Sequence, residues 1–273
     1  PKQIQAFVAA QESHQLNRQQ GAIKYFPIWG MGPGSYQADL MFVENPRSRT
    51  KLLPILCAIN VNTRYAYAYL LKSKEAAGIH EALSQFIKES QCKFLQTDNG
   101  KEFVNKSVSK LLADNGITHT TVEPGDHTGQ GIVERFNQTL RRLIQLYTDA
   151  TDLPWTDVLK ELVWNYNHRE NRSILMAPAE ADETTGLFFK ELQYAEAQKQ
   201  YDRLRLGDTV RKQIHKKKGF DKGRARWSQA LYTITAKEHN HYVLSDGSTA
   251  KHYELQRVAG VQHAQRKDRD VER

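Results

Sequence analysis

The sequence predicts an α/β fold: a mixed β-sheet flanked by helices, followed by a small all-β barrel. Three β-rich segments follow one another early in the chain, and beyond them strands alternate with helices, which is typical of a mixed sheet. Short strands separated by turn residues resume after Gly207. A chain of 273 residues is also long enough for two domains.

Hydrophobic spacing and turn residues predict the elements of the sheet domain. Three strands begin at Tyr36, Leu52 and Tyr65. A helix is predicted over 75–90, where apolar residues recur at helical spacing, and a strand over 93–98 ends at an Asp-Asn-Gly turn. The remaining predicted elements are a helix over 103–115, a strand over 117–122 and helices over about 129–149 and 155–170.

Changes in composition along the chain predict its organisation. Apolar residues are sparse after Phe188, which indicates a charged connecting helix, and Asp246-Gly247 is typical of a hairpin turn within the barrel. The predicted divisions are a lead-in segment 1–35, a core domain 36–186, a linker helix 187–206, a barrel 207–259 and a charged tail 260–273.

The apolar residues and cysteines exclude several classes of protein. No window approaches the roughly 18 uncharged apolar residues that a membrane span needs, so no membrane partner is expected. Cys57 and Cys92 do not form a CxxC pair, which argues against a Cys-based zinc site and against a disulfide framework. The sequence therefore predicts a soluble protein of a reducing, intracellular compartment.

The net charge of +8 is concentrated in one segment of the chain. Nine basic and two acidic residues lie between Arg205 and Arg226. Clustered positive charge favours a polyanionic partner, because Lys and Arg release condensed counterions from phosphates. Nucleic acid is the leading candidate, and a solvated loop that keeps the protein soluble is the alternative.

Three acidic residues stand where a charge facing solvent would be least expected. Asp39 lies in the middle of an apolar strand, Asp98 closes a short strand, and Glu134 lies in the first turns of a helix. Each alone could be a turn residue or a surface charge. Grouped together, they would repel one another unless a hard cation such as Mg²⁺ lay between them. Two such ions roughly 3.5 to 4 Å apart suit phosphodiester chemistry.

Three sequence motifs resemble the D,D-35-E core of retroviral and retrotransposon integrases. They are the strand with Asp39, the turn 97–100 and the segment 131–137, with 35 residues between Asp98 and Glu134. The resemblance covers roughly residues 36–185. The later barrel is similar to the family's C-terminal DNA-binding domain, placed as in integrases of retroelements and of Maverick/Polinton-type transposons.

The resemblance implies a fold, an activity and partners. The fold would be an RNase H-like catalytic core followed by a Src-homology-3-like barrel. The activity would be that of a DNA integrase, a polynucleotidyl transferase of the DDE type that uses Mg²⁺ or Mn²⁺, two ions per active site. It would process DNA 3′ ends and transfer them to target DNA in the nucleus, as a homo-oligomer that is a tetramer or larger on DNA.

The resemblance also implies roles for individual residues. Asp39, Asp98 and Glu134 match the catalytic metal ligands, and Gln138 departs from the basic residue often found at its position. The family's His-His-Cys-Cys zinc module has no counterpart in residues 1–35, which contain one histidine and no cysteine. The expected DNA contacts are Asn99, Gln130, Asn137, Arg141 and Arg142 in the core, and Lys212, Lys216, Lys217, Lys218, Lys222, Arg224 and Arg226 in the barrel.

Two other functions compete with the integrase hypothesis. One is a nuclease that only hydrolyses DNA, and the other is a domesticated DNA-binding or tethering protein whose core is a scaffold. A chromatin factor is an alternative partner of the barrel. Core packing is favoured over base stacking or subunit contact for the aromatic residues Trp155, Trp164, Tyr166, Trp227, Tyr232 and Tyr242.

Overall fold

The structure of the protein is a computed structural model that describes residues 12–18, 23–71, 76–122, 129–151, 153–214, 226–238 and 241–258. It divides into two compact units, one of Pro27–Leu192 and one of Pro1–Phe26 with Gln193–Arg273. The first 26 residues, where described, therefore belong with the C-terminal part of the chain. This grouping differs from the predicted division, in which residues 1–35 form a separate lead-in segment.

The central unit, Pro27–Leu192, holds the first sheet and most of the helices. Its strands are β1 Ser35–Asn45, β2 Ser48–Asn60, β3 Ala66–Leu70, β4 Phe94–Thr97 and β5 Thr118–Thr121. Its helices are α2 Ala76–Glu89, α3 Lys106–Asp114, α4 Gly131–Thr151, a 3₁₀ turn Trp155–Asp157 and α5 Leu159–Asn167, with α1 Glu12–Asn17 preceding them in the C-terminal unit. The last helix, α6 Glu183–Tyr201, begins in the central unit and runs past its end.

The five strands form a mixed sheet in the order β3-β2-β1-β4-β5. The first three pair antiparallel as a meander, whereas β1 with β4 and β4 with β5 pair parallel. The predicted mixed sheet with flanking helices is thus confirmed. β1 occupies the centre, so residues on it are next to both the antiparallel and the parallel half.

A separate hydrophobic core covers each face of this sheet. Alternate residues of β2 serve the two cores: Ile55 and Cys57 face the core built with α4 and α5, whereas Leu56 and Ala58 face the core built with α2 and α3. All four are fully buried. This alternation follows from the period of two along a strand, and it explains why the strand is almost continuously apolar.

The C-terminal unit contains the second sheet. Its strands are β6 Thr209–Lys212, β7 Tyr232–Glu238, β8 His241–Leu244, β9 Thr249–Lys251 and β10 Leu255–Arg257, with a 3₁₀ turn His252–Glu254 before the last. They pair antiparallel in the order β10-β6-β7-β8-β9. The all-β architecture predicted after Gly207 is confirmed. Trp227 and Tyr242 are buried in this unit, as favoured over base stacking.

Several boundaries differ from those predicted. The linker helix, predicted over 187–206, is α6 and begins at Glu183. The helix predicted from residue 103 begins at Lys106, because the Asn105 side chain accepts a hydrogen bond from the backbone N–H of Val108 and caps it. The single helix predicted over 155–170 is instead a 3₁₀ turn and α5. Among the described helices, none is both long and apolar enough to cross a membrane.

Candidate active site

Asp39 lies on the central strand and faces helix α4. Its Oδ2 accepts a hydrogen bond of 2.8 Å from Nδ2 of Asn137, and its Oδ1 accepts one from the backbone N–H of Leu40. The side chain is partly buried because β1 is covered on both faces. These two hydrogen bonds fix the orientation of the Asp39 carboxylate.

Asp98 follows the neighbouring parallel strand. The pairing of β1 with β4 ends at Gln37 and Gln96, and Asp39 and Asp98 each lie two residues beyond this pair. Since adjacent strands run about 4.8 Å apart, the register places the two acids at the same edge of the sheet. Asp98 is exposed, and its Oδ1 accepts the backbone N–H of Gly100, which fixes the turn after the strand.

Glu134 lies in the first turn of α4, and Gln37 connects that turn to β1. Oε1 of Gln37 accepts the backbone N–H groups of Ile132 and Val133, both at 3.2 Å, while its Nε2 donates to the backbone oxygen of Gly129. Gln37 is completely buried. It therefore satisfies two of the backbone donors that a helix start leaves unpaired, and it ties Glu134 to the strand that carries Asp39.

The sequence motifs do not mark Gln37 as a functional residue. The signal available was its position, two residues before Asp39 and so on the same face of the strand, where a fully apolar side chain would be expected. A polar residue at an inward position indicates a hydrogen-bonding task. The groups that Gln37 bonds are distant in the sequence, and only the fold brings them next to it.

Asp39 interacts electrostatically with each of the other two acids. Burial raises the pKa of Asp39 to about 6, and repulsion from Asp98 and Glu134 adds to this effect, while hydrogen bonds from Leu40 and Asn137 oppose it. The fold therefore brings Asp98, from the β4 turn, and Glu134, from α4, near enough to Asp39 on β1 to raise the pKa of Asp39. A cation at this place would relieve their repulsion.

The donor set fits a hard divalent cation, since all three side chains offer carboxylate oxygens. Within the part of the chain that the structure describes, however, no three His, Cys, Asp or Glu side chains are grouped closely enough to hold a metal ion. Asp39 and Asp98 thus share an edge of the sheet, and Asp98 and Glu134 each repel Asp39, but the three side chains do not form a closed ligand cluster.

The residues of the core that were expected to contact DNA lie in different environments. Asn99, Arg141 and Arg142 are exposed, as a DNA contact requires. Asn137 is buried and donates to Asp39, so the structure gives it a contact within the site. Gln130 is buried too, and its backbone oxygen accepts the N–H of Glu134.

The expected DNA contacts in the C-terminal unit are only partly described. Lys216, Lys217, Lys218, Lys222 and Arg224 lie outside the described residues. The side chain of Lys212 donates to Asp246 and Ser248 and lies 4.0 Å from the ring centroid of Tyr232. The hydrogen bond from Lys212 lowers the pKa of Asp246. Arg226 is exposed.

Comparison with known sequences identifies similar proteins. Residues 32–127 match the family described as the integrase core domain; this range contains Asp39 and Asp98 and ends just before Glu134. A transposon-derived protein of Caenorhabditis elegans is 32% identical over 183 residues, which cover 65% of this chain and 61% of that protein. The Pol polyprotein of equine infectious anemia virus is 37% identical over 119 residues, which cover 44% of this chain and 10% of the polyprotein.

A solved structure shares the fold. A chain of the simian T-cell lymphotropic virus intasome, in complex with PP2A regulatory subunit B56 gamma, has a TM-score of 0.54 at 16% identity and covers 94% of this chain and 91% of that chain. The predicted resemblance to integrases and the RNase H-like fold class are confirmed. The chain spans only 61% of the length of the transposon-derived protein and 10% of the length of the Pol polyprotein.

Proposed function

We propose that this chain is an integrase that processes DNA 3′ ends and joins them to target DNA, with Asp39, Asp98 and Glu134 as its catalytic residues. The observation that carries the proposal is that the fold brings these acids together. Asp39 and Asp98 each lie two residues beyond the last pair of β1 and β4, and Asn137, three residues after Glu134 on α4, donates to Asp39. The three residues are far apart in the sequence and lie in separate elements, so only the fold can bring them together. A scaffold has no use for two carboxylates that each repel a third.

The three carboxylates would hold Mg²⁺ or Mn²⁺, two ions per active site. When bound, such ions activate an attacking oxygen and stabilise a leaving oxygen in phosphodiester chemistry. Asn137 orients the Asp39 carboxylate by donating to one of its oxygens. Gln37 fixes the first turn of α4 and hence the position of Glu134. The protein thereby positions its acids before any substrate binds.

The test is a joining assay with DNA that ends in the element's terminal sequence, a supercoiled plasmid and Mg²⁺ or Mn²⁺. We expect Asp39→Asn, Asp98→Asn and Glu134→Gln each to abolish end processing and joining. Folding should remain intact, because removing one charge relieves repulsion in the metal-free protein. Circular dichroism and a thermal unfolding curve of each variant check this.

The control is Asp149→Asn, which neutralises an exposed acid near the other end of α4. It changes the net charge by the same amount, so it should leave joining within about twofold of the unaltered protein, as is usual for a surface substitution. Near-normal joining by any of the three site variants would refute the assignment. Cleavage without any joined product would favour the hydrolytic nuclease instead.

The partners and location follow from the same proposal. The DNA ends of an element and the target DNA are the substrates, and the nucleus is where both are found. One active site cannot hold two DNA ends while it attacks both strands of a target. The active species is therefore a homo-oligomer, a tetramer or larger on paired DNA ends.

A further inference from the structure

A groove of about 1160 Å³ lies beside α4, on a different side of that helix from Glu134. It is bounded by α4, by the end of α5 and by the loop that follows it. Arg135, Thr139 and Arg142 line it, at helical spacings of four and three. This row is displaced by one residue, about 100° around the helix, from the row of Glu134 and Arg141.

The floor of the groove is apolar and its wall is aromatic. Ile59, Ile132 and Phe136 are buried beneath it, and the ring of Phe136 meets that of Tyr166 edge to face at 4.8 Å. On the wall, Trp164 is 59% exposed, so the core packing favoured for it from the sequence is wrong. Surfaces of this kind within a concave site commonly mark a place where another molecule docks.

The aromatic wall is held in a fixed position. Trp164 stacks on His168 with ring centroids 4.0 Å apart and an interplanar angle of 20°. A ring nitrogen of His168 is 2.8 Å from the backbone oxygen of Trp164. The Tyr166 hydroxyl accepts a hydrogen bond from Nδ2 of Asn171. Such preorganisation lowers the entropy lost when a ligand binds.

The charge of the groove is strongly positive. Five arginines and one glutamate line it, and the arginines are Arg64, Arg135, Arg142, Arg169 and Arg172. Arg64 is buried and donates to a backbone oxygen, whereas the other four are exposed. Among the residues that the structure describes, none of these four guanidinium groups forms an ion pair with a carboxylate.

We propose that this groove binds an acidic peptide segment of a partner protein, with apolar residues between its carboxylates. Unpaired arginine forks suit carboxylates, which they bind through two parallel hydrogen bonds. The apolar floor suits the side chains between those carboxylates. A DNA duplex is less compatible, because its convex backbone would present phosphates to the rim and leave the apolar floor uncovered.

The proposal does not depend on the chemistry of the acidic site. The groove uses a different side of α4, and none of its lining residues is Asp39, Asp98 or Glu134; of the core residues expected to contact DNA, only Arg142 lines it. A bound acidic partner would therefore leave those carboxylates accessible. This arrangement suits recruitment of the protein to a partner while its catalytic residues remain available to DNA.

The test measures binding of a short fluorescent peptide in which Asp alternates with Leu, by anisotropy with the full chain. The groove variant is Arg169→Gln with Arg172→Gln, since both arginines lie in the loop after α5, which contains none of the three catalytic acids. A second variant is Trp164→Ala. The matched control is Arg47→Gln with Lys88→Gln, which removes two exposed positive charges elsewhere on the central unit.

We expect the double groove variant to bind the peptide at least about fivefold more weakly, since it removes two carboxylate pairs, and the control to bind within about twofold. Replacing Asp by Asn in the peptide should abolish binding, and Trp164→Ala should weaken it. Joining of naked DNA should be unchanged in the double groove variant.

Equal binding by that variant and the control would overturn the proposal. Displacement of the peptide by single-stranded DNA of equal charge, but not by a longer acidic peptide, would assign the groove to nucleic acid instead.

Discussion

At the scale of single residues, Gln37 determines how precisely Glu134 can be placed. Its side chain makes four hydrogen bonds: two to the backbone at the start of α4, one to the Gly129 oxygen and one to Gln96. All of these groups lie in the interior or at its edge. Gln37 is a positioning residue, because it acts through the helix rather than on substrate.

We predict that Gln37→Met lowers the free energy of unfolding by about 1 to 3 kcal/mol, because two backbone donors lose their acceptor in the interior. Joining activity should fall at least about tenfold, since a small misplacement of a catalytic group is costly. Urea unfolding and the joining assay at saturating DNA measure the two effects.

Gln96→Met is the matched control for this change. Gln96 shares one hydrogen bond with Gln37 but none with α4. Its replacement should therefore reduce joining much less than Gln37→Met does. Equal losses of activity in the two variants would show that Gln37 acts only through general stability of the sheet.

The sequence predicts which charged residues form the candidate site better than it predicts which residues form hydrogen bonds with them. Asp39, Asp98 and Glu134 are recognisable from their motifs, and the register of β1 and β4 brings the first two together. The bonds of Gln37 to α4 and of Asn137 to Asp39 span between 95 and 98 positions of the chain. No local pattern encodes such pairs, because they depend on how the strands and helix pack.

At the scale of the elements, α6 contains a lysine in an unusual environment. The side chain of Lys190 is almost completely buried, and Nζ lies 5.7 Å from the ring centroid of Trp29. Among the described residues Nζ has no hydrogen-bond partner. Burial lowers the pKa of Lys190 to about 7, repulsion by Arg64 adds to this, and attraction by Glu183 opposes it.

This shift predicts a stability that depends on pH. The unfolded chain keeps the Lys190 proton up to its ordinary pKa of 10.5, whereas the folded chain loses it above about 7. Between these values the unfolded state binds more protons, so the free energy of unfolding rises with pH. Below pH 7 the folded protein carries the full cost of a buried charge.

We predict that Lys190→Met stabilises the protein at pH 6, by about 1 to 4 kcal/mol, and that the gain shrinks toward pH 9. Urea unfolding at several pH values measures it. The control Lys88→Met, on the exposed side of α2, should show no such pH dependence. A gain for Lys190→Met that is the same at pH 6 and pH 9 would contradict the lowered pKa.

The sequence predicts α6 as an element but not its surroundings. Its apolar residues are spread around the helix, so no face is marked as buried, and the charges indicate a solvated linker. In the structure Lys190 is buried whereas Phe188 is 55% exposed. Tertiary packing therefore decides which side chains of α6 are buried, and the local hydrophobic pattern does not. For the same reason the predicted range 187–206 misses the start of the helix at Glu183.

At the scale of the whole molecule, the sequence predicts the two sheets but does not predict which segments of the chain belong to each unit. Strand meanders and alternating helices are local signals, and both sheets follow from them. The described residues near the N-terminus pack within the C-terminal unit: the indole nitrogen of Trp227 donates to the backbone oxygen of Arg18, more than 200 residues away. Nothing in the composition of residues 1–35 indicates such a partner.

The basic segment between Arg205 and Arg226 predicts how the whole chain binds DNA. Replacing Lys216, Lys217 and Lys218 with Ala should weaken binding about equally for all DNA sequences. Each lost phosphate contact should lower the slope of log affinity against log salt by about 0.9 on duplex DNA. Fluorescence anisotropy at several salt concentrations measures the slope, and an unchanged slope would show that these lysines do not touch DNA.

In the proposed active site, three carboxylates from three separate elements act as one metal site. Calorimetric titration of the full chain with Mn²⁺ tests it most directly, without DNA and without turnover. We predict that Asp39→Asn, Asp98→Asn and Glu134→Gln each lower Mn²⁺ affinity at least about tenfold, because each removes one oxygen ligand from a shared site, while Asp149→Asn leaves it unchanged. Affinity that is the same in all four variants and the unaltered protein would show that these carboxylates do not share a metal site.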